Sequence, residues 1–410
     1  MKILVFGGSE KIGTAVAWDL ARDEEVETIG LVGRHGPALE RVRAWAGSDK
    51  IISHVLDIDA RADTVALMKT YDAAAVVLPD RKTSYKVLEA SIEAGLSSVD
   101  ALEEFHRTPD PYEIEGLEIP GGLELEKYGE WLHRRALDNG VTFLDGMGFA
   151  PGLSNVTCGE GMRLLDSTER VVARVGGIPS KEAAARHPLR YMITWSFQHV
   201  LREYMIRLKV IRGGRVVEVD AGTDREQFEF SRFGKHERLE CAVTPGMPSF
   251  LFTRPGLQEF SEKTVRWPGH WEGVDTLKEC GLLEIEPVDF EGRDIVPRAF
   301  LSHLLTPRLV PREGDTDVCV MYNTVEGTKS GRRKRLEYFM WDEADRRNGL
   351  TSMMRVTGFP VAIAARWLAR GRIRQRGIVA PEDAVSGELY RELLSELQKR
   401  EIEIHSQESD

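Results

Sequence analysis

The first 22 residues of the chain place an apolar run, a glycine-containing turn and a helical pattern in direct succession. Residues 3–6 are uniformly apolar, which is typical of a parallel strand buried on both faces. Ile12, Val16 and Leu20 then recur at helical spacing. Strand, turn and helix in this order predict the first half of a dinucleotide-binding unit, with a pyrophosphate at the helix N-terminus. The residues expected to contact the cofactor there are Gly7, Gly8, Ser9, Lys11, Ile12 and Gly13.

The glycine spacing departs from the usual fingerprint at one position. It fits Gly-x-x-Gly-x-x-Gly, with Glu10 where the middle glycine belongs. A carboxylate about 4 Å from a phosphate would cost roughly 4 kcal/mol at an effective dielectric near 20, which weakens binding about a thousandfold. Either Glu10 points into water or the cofactor site is damaged, and a tight turn without any ligand is a further alternative.

The second predicted strand, residues 27–32, ends in Gly33, Arg34 and His35. In dinucleotide-binding folds an acidic residue near this point holds the ribose 2′-hydroxyl, whereas an arginine accommodates a 2′-phosphate. Because no acid stands here, the sequence favours NADP(H) and leaves NAD(H) possible. The alternative is a solvated arginine in a loop.

Strands and helices alternate through the first 150 residues. Four more strands are predicted, at residues 51–56, 73–78, 98–101 and 141–144, with helices between them. This order predicts an α/β fold with a Rossmann-type doubly wound parallel sheet. Ligands bind beyond the carboxyl ends of such strands, so Asp57, Ile58, Leu78 and Pro79 are further expected cofactor contacts. Residues 106–122 are interpreted as a surface loop.

The pattern changes after residue 152. Several segments between 170 and 341 alternate apolar and polar residues, as strands of a half-exposed sheet do. We therefore expect a dinucleotide-binding domain (1–150), a second α+β domain on a mixed sheet for substrate binding and dimerisation (151–345), and C-terminal helices returning to the first domain (346–400). The polar tail beyond residue 401 is expected to fray.

Composition excludes several classes of protein. The net charge of -11 argues against a nucleic-acid-binding surface. No apolar run approaches the ~18 residues of a membrane span, so no membrane contact is expected. The four cysteines are widely spread, which suggests a reducing, cytoplasmic setting, and neither cysteines nor histidines form a metal-ligand pattern.

Several motifs occur together in an order that resembles the saccharopine dehydrogenase family over nearly the whole chain. These motifs are residues 146–153, 175–179, 195–196 and 266–270, and the helix that opens at residues 351–353. The resemblance implies hydride transfer between a nicotinamide and a carbon–nitrogen bond of a small amine or imine. It also implies a homodimer and a C-terminal helix that returns to the nucleotide-binding domain.

Two departures from the family pattern concern the substrate. Saccharopine reductases carry an arginine that grips a substrate carboxylate where this chain has Gln198. A neutral amide cannot give the bidentate, charge-assisted grip of a guanidinium. Ala150 likewise replaces an aspartate, so the substrate stays open between amino-acid and polyamine types. The residues expected on the substrate side are Asp100, Phe149, Tyr191, Trp195 and Gln198.

Moving a hydride to or from a carbon–nitrogen bond also requires one proton to move at nitrogen, and a buried carboxyl can do this. Asp100 and Asp145 stand at the ends of the fifth and sixth predicted strands and are the first and second choices. His270 is the third candidate, because its ordinary pKa suits proton shuttling. The alternatives are an aspartate that caps a turn and a histidine held by backbone groups.

The sequence leaves two functions open. The first is an NADP(H)-dependent amine dehydrogenase or imine reductase, and the second is a non-catalytic or degenerate nucleotide-binding relative, which Glu10 motivates. A short-chain reductase would need Tyr-x-x-x-Lys after the fifth strand, and no tyrosine of this chain has a lysine four residues later.

Overall fold

The computed structural model describes residues 1–110 and 117–410. The chain forms two compact units. The first comprises Met1–Glu160, Met247–Thr253 and Met354–Ile402, and the second comprises Gly161–Gly246, Arg254–Met353 and Glu403–Asp410. Within the described ranges, no helix has the length and apolar character needed to cross a membrane.

The strands are numbered here in chain order. They are β1 Lys2–Phe6, β2 Thr28–Gly33, β3 Ile51–Val55, β4 Ala73–Val76, β5 Ser98–Asp100, β6 Thr142–Leu144, β7 Ser167–Pro179, β8 Arg207–Arg212, β9 Arg215–Asp220, β10 Glu226–Phe230, β11 Glu237–Val243, β12 Glu259–Arg266, β13 Val288–Phe290, β14 Arg293–Ile295, β15 Asp317–Lys329, β16 Arg332–Glu343, β17 Gly377–Val379 and β18 His405–Ser409.

The helices follow the same order, with one short 3₁₀ helix at Pro188–Arg190. They are α1 Lys11–Ala21, α2 Gly36–Ala46, α3 Arg61–Met68, α4 Arg81–Ala94, α5 Leu125–Asp138, α6 Leu153–Arg163, α7 Lys181–Ala184, α8 Phe197–Glu203, α9 Phe250–Thr253, α10 His270–Glu279, α11 Pro297–Leu309, α12 Ser352–Ala369, α13 Pro381–Ala384 and α14 Glu388–Gln398.

The first unit is built on a seven-stranded sheet in the order β17-β6-β5-β4-β1-β2-β3. Every pairing in it is parallel. The interior strand β1 buries residues 3–6 completely, because helices cover both faces of such a sheet. The predicted doubly wound fold is therefore confirmed. The edge strand β17 was not predicted, because its three residues lie in a region whose pattern indicates helices.

The C-terminal segment of the first unit packs on α1. The rings of Trp18 and Phe359 stack with centroids 5.8 Å apart. A Cβ at Gly358 would lie 2.8 Å from the Cβ of Ala15, so α12 approaches α1 too closely for a larger residue. Arg400 makes a bidentate ion pair with Asp19 of α1, at 2.6 and 2.9 Å. The first unit is thus assembled from both ends of the chain.

The second unit holds a nine-stranded mixed sheet. Its main path runs β10-β11-β12-β7-β15-β16-β18, with β8 pairing β12 and β9 pairing β8. Only the β7–β12 pair is parallel, and the other pairs of this sheet are antiparallel. The predicted α+β domain on a mixed sheet is confirmed.

The prediction of a frayed tail is wrong for residues 405–409. These residues form β18, which pairs antiparallel with β16 from Arg335↔Ser409 to Phe339↔His405. The edge of β16 offers unpaired backbone groups, and β18 satisfies them. The side chains of β18 are mostly exposed, so the tail shows no apolar periodicity that would have revealed a strand.

Candidate active site

The turn between β1 and α1 is closed so tightly that side chains are excluded from it. Gly7 has a φ of 79°, and a Cβ there would lie 2.6 Å from the carbonyl oxygen of Val77. A Cβ at Gly13 would lie 2.2 Å from the carbonyl oxygen of Gly7. These contacts bring the first turn of α1 directly to the carboxyl end of the parallel strands, where phosphate-binding turns lie.

Glu10 precedes α1, and its side chain is exposed. Its backbone carbonyl accepts hydrogen bonds from the N–H and Oγ1 of Thr14, at 2.8 and 2.9 Å. The Glu10 carboxylate makes no capping hydrogen bond to α1. The first N–H groups of the helix therefore have no side-chain acceptor from this residue, which leaves them for a ligand. Of the alternatives for Glu10, the structure has the one in which the side chain points into water.

The other expected cofactor residues lie at the carboxyl ends of their strands. Ser9 neighbours the end of β2, because a Cβ at Gly33 would lie 3.5 Å from its Oγ. Arg34 and His35 follow β2 and are exposed, as is Lys11 in the first turn of α1. The residues that follow β3 and β4 are half-buried or exposed and line the same edge: Asp57, Ile58, Leu78 and Pro79.

Asp100 and Asp145 stand at the ends of the adjacent strands β5 and β6, with 0% and 2% of their surface exposed. The Asp100 carboxylate accepts hydrogen bonds from the Gly146 N–H at 2.6 Å and from Ser84 Oγ at 3.2 Å. The Asp145 carboxylate accepts a hydrogen bond from the His106 N–H at 2.7 Å. Both aspartates therefore cap turns, and both also take part in a shared side-chain network.

His106 joins these two carboxylates, and no pattern in the sequence identified it. Its Nδ1 lies 2.9 Å from Asp145 Oδ1, and its Nε2 lies 3.0 Å from Ser84 Oγ and 3.9 Å from Asp100 Oδ2. We call Ser84, Asp100, His106 and Asp145 the Asp–His network. His106 opens the segment interpreted as a surface loop, yet it is completely buried; residues 111–116 of that segment lie outside the described residues.

Burial shifts the acidity of every titratable group in the Asp–His network. It raises the pKa of Asp100 to about 7, with the nearby charge of Asp145 adding to the effect. Burial also raises the pKa of Asp145 well above its ordinary value and lowers the pKa of His106. Near neutral pH the network therefore holds a carboxyl proton that it can give up or recover.

The same three side chains could in principle hold a metal ion. Asp100, His106 and Asp145 each offer one ligand atom, and these atoms lie within 4.8 Å of one another. However, both imidazole nitrogens already lie at hydrogen-bond distance from Asp145 and Ser84. A metal would have to break both contacts, so the geometry suits a hydrogen-bonded network better than a metal centre.

The remaining expected substrate residues differ in exposure. Phe149 is buried in the first unit, where it follows β6. In the second unit Tyr191 is buried, Trp195 is half-buried before α8, and Gln198 is exposed on that helix. These placements leave Gln198 open to solvent and Tyr191 inside the unit.

His270 is completely enclosed within the second unit. Its Nδ1 donates to the carbonyl oxygen of Leu189 at 2.9 Å, and its Nε2 accepts from the Tyr204 hydroxyl at 2.8 Å. Burial and the charge of Arg266 lower the pKa of His270 to about 3, so the ring stays neutral at physiological pH. These contacts match the alternative of a histidine held by backbone groups.

Two models of known protein families match this chain and agree with the fold. The family model for the saccharopine dehydrogenase NADP-binding domain matches residues 3–144, and the model for the saccharopine dehydrogenase C-terminal domain matches residues 148–402. The chain belongs to the saccharopine dehydrogenase family. It is an oxidoreductase of that family with an NADP-binding domain at its N-terminal end.

Two relatives extend over most of the chain. A carboxyaminopropylagmatine dehydrogenase from Synechocystis sp. is 22% identical over 398 residues, which cover 93% of this chain and 92% of that protein. The mitochondrial alpha-aminoadipic semialdehyde synthase of Bos taurus is 23% identical over 354 residues. That match covers 69% of this chain and 36% of the synthase, so the chain spans about a third of the synthase.

A solved structure shows the same fold across the whole molecule. The apo saccharopine dehydrogenase (L-Glu forming) from Saccharomyces cerevisiae superposes with a TM-score of 0.78 at 18% identity, and the match covers 100% of both chains. At this identity the likeness establishes the fold of both units.

The raised pKa of Asp100 makes the stability of the protein depend on pH. Below the unfolded-state pKa near 3.8 both states hold the proton, whereas up to about pH 7 only the folded state holds it. The free energy of unfolding therefore falls as the pH rises from about 4 to 7. Between pH 4.5 and 8 we expect the free energy of unfolding to fall about 3 kcal/mol less in Asp100→Asn than in the wild type.

Urea unfolding of the wild type and the variant at both pH values measures this effect. Asp49→Asn, at an exposed position, is the matched control and should follow the wild type. If Asp100→Asn also follows the wild type, the Asp100 carboxyl is ionised throughout and does not store a proton.

Proposed function

We propose that this protein transfers a hydride between NADP(H) and a carbon–nitrogen bond of an amino-acid- or polyamine-type substrate, as an amine dehydrogenase or imine reductase. The observation that carries the proposal is the Asp–His network, a buried proton store at the carboxyl ends of β5 and β6. Parallel sheets of this type bind their ligands at that edge. The family membership and the NADP-binding domain support the hydride transfer in this proposal.

The residues of the glycine turn fit a dinucleotide. The uncapped first turn of α1 presents backbone N–H groups, and these would hold the pyrophosphate. Arg34 stands after β2, where a guanidinium would pair with a 2′-phosphate. When bound, the nicotinamide supplies a hydride to the substrate carbon, or accepts one in the reverse direction.

Asp100 would act at the substrate nitrogen. As a carboxylate it attracts a cationic nitrogen, and as a neutral acid it donates a proton to the nitrogen when the neighbouring carbon gains the hydride. His106 and Ser84 would hold the Asp100 carboxyl in place, and Asp145 would fix the orientation of the imidazole. Because the pKa of Asp100 is about 7, both protonation states are populated near neutral pH.

The relatives indicate the chemical class of the substrate. One is named a carboxyaminopropylagmatine dehydrogenase and the other an alpha-aminoadipic semialdehyde synthase, so both names refer to nitrogen-containing small molecules. Their identities of 22% and 23% support the class of bond that reacts and leave the substrate itself open. The homodimer and the cytoplasmic location expected from the sequence stay predictions.

A panel of imines tests the proposal. Amino-acid semialdehydes and simple aldehydes would be mixed with amino acids and polyamines, and NADPH oxidation would be followed by absorbance. We expect turnover of at least one pair. Asp100→Asn should lower kcat about a hundredfold or more, with the NADPH Kd within twofold of the wild type, because the carboxyl acts on the proton. NADPH binding without any turnover would contradict the proposal and favour a non-catalytic relative.

Cofactor choice is tested at Arg34. Replacing Arg34 with aspartate puts a negative charge beside the 2′-phosphate and offers an acceptor to a 2′-hydroxyl. We therefore expect the preference for NADPH over NADH, measured as the ratio of kcat/KM, to fall about tenfold to a hundredfold. Arg41→Asp makes the same charge change at an exposed position of α2 and should leave the ratio unchanged. An unchanged ratio in Arg34→Asp would show that this arginine is only a surface residue.

A further inference from the structure

The hairpin of β13 and β14 is a small sheet that stands in water. These strands pair only with each other among the strands of the described residues, and they form a two-stranded sheet of their own. Every residue from 284 to 294 is exposed. An isolated two-stranded hairpin is marginally stable at best in water, and it gains stability by packing against another surface. The described part of the chain does not supply that cover.

Exposed apolar side chains are concentrated on this hairpin and on α11, which follows it. Of the thirteen large apolar side chains that are exposed among the described residues, six fall within residues 285–310. Val288 and Phe290 lie on one face of the hairpin and are 51% and 59% exposed. Phe300 and Leu304 lie four positions apart on one side of α11 and are 50% and 41% exposed. Both elements therefore present an apolar stripe to water.

The hairpin and α11 are joined at their base. The backbone N–H of Arg298 donates to the carbonyl oxygen of Glu284 at 3.0 Å, and the opposite side of α11 is anchored in the core by Leu301 and Leu309. We call the exposed residues of 284–312 the hairpin–helix surface. A phenylalanine ring covers roughly 200 Å², so the two half-exposed phenylalanines alone leave about 200 Å² of apolar surface in water. Exposed apolar surface on this scale marks a site where another surface docks.

The hairpin–helix surface carries opposite charges on its two elements. Residues 284–294 contain five acids and one arginine, a net charge of -4, whereas residues 297–312 contain three arginines and no acid, a net charge of +3. Asp289 and Asp294 lie directly opposite each other in the hairpin, where like charges are destabilising. Within the described residues none of these charges forms an ion pair, and the nearest pairs in sequence are those of Asp315. The charges are therefore available to a partner with the complementary pattern.

We propose that the hairpin–helix surface binds the same surface of a second copy of this chain, with the acidic hairpin of each copy on the basic α11 of the other. A two-fold assembly pairs residues reciprocally, so a surface with one acidic and one basic half complements itself. The apolar stripes of the two elements then cover each other, and the opposed aspartates of the hairpin face arginines. The inference goes beyond the proposed function, because it concerns assembly and not catalysis.

Sedimentation velocity of the full-length protein tests the apolar part of this contact. We expect the wild type to be a dimer at micromolar concentration. Phe300→Asp should raise the dissociation constant of the dimer about a hundredfold or more, because the two-fold axis places the substitution in the interface twice. Leu137→Asp is the matched control: it makes the same kind of change in α5, where the leucine is 45% exposed, and should leave the dimer intact.

Charge reversal tests the proposed arrangement of the two copies. One variant combines Glu286→Lys, Asp289→Lys and Asp294→Lys, and because each substitution changes the charge by two, the hairpin goes from -4 to +2. A second variant combines Arg308→Glu and Arg312→Glu, which takes residues 297–312 from +3 to -1. Each variant alone opposes like charges and should be monomeric. An equimolar mixture should form a dimer, because each reversed element then meets its complement.

A matched control separates these local effects from the change in net charge. Glu24→Lys, Asp49→Lys and Asp138→Lys together make the same change of charge as the hairpin variant, at exposed positions of the first unit. This triple variant should remain a dimer. Far-ultraviolet circular dichroism of every variant shows whether it is folded, and if Phe300→Asp is not, the recovery of the dimer in the mixture decides alone.

Three results would each overturn the proposal. A wild type that is monomeric even at about 100 µM would leave the hairpin–helix surface to a partner of another kind. A folded Phe300→Asp that dimerises as tightly as the wild type would place the contact between copies on a different surface. A mixture of the two charge variants that is no more dimeric than either alone would exclude the pairing of hairpin with helix.

Discussion

At the glycine turn the first helix begins so close to the first strand that no side chain fits between them. A Cβ at Gly13 would lie 2.2 Å from a backbone oxygen of Gly7, so the turn exists only with glycine at this point. This close approach directs the N-terminus of α1 at the sheet edge where the other strands also end. The exposed Glu10 does not obstruct that edge. The proposed binding of a dinucleotide therefore depends on this turn.

The sheet topology explains why the acid–base groups meet. Strands β5 and β6 are neighbours and parallel, so Asp100 and Asp145 emerge at the same edge although they are 45 positions apart in sequence. Capping bonds from backbone N–H groups hold each carboxylate in place. His106 then completes the link, and the burial of all three raises the proton affinity of the carboxylates. The same two carboxyl groups therefore cap turns and hold a proton.

The sequence predicted the features that rest on local pattern. The buried strands of the first sheet follow from continuous apolar runs, and both strand-end aspartates were identified from their positions. His106 could not be found in this way, because it lies in a polar, proline-containing segment and its burial depends on contacts with Ser84 and Asp145. The strands β17 and β18 were missed for a related reason: each is short, and its pairing partner lies far away in sequence.

The hydrogen bonding of buried polar groups in the second unit was also invisible to sequence reasoning. Tyr191 was recognised as a substrate-side residue, but its position in the sequence does not reveal that its buried hydroxyl has no hydrogen-bond partner among the described residues. His270 shows the converse case, since its residue type suggested proton transfer whereas its two hydrogen bonds keep it neutral. Such distinctions depend on tertiary contacts that no spacing of residues encodes.

The proposed function requires the glycine turn to hold a phosphorylated nicotinamide dinucleotide. Isothermal titration calorimetry of the unmodified full chain with NADPH and with NADH, at one fixed salt concentration, tests it most directly. We expect saturable one-site binding of NADPH and weaker binding of NADH. If neither dinucleotide gives a heat of binding, and neither competes with the other for the protein, the glycine turn does not hold a nicotinamide dinucleotide.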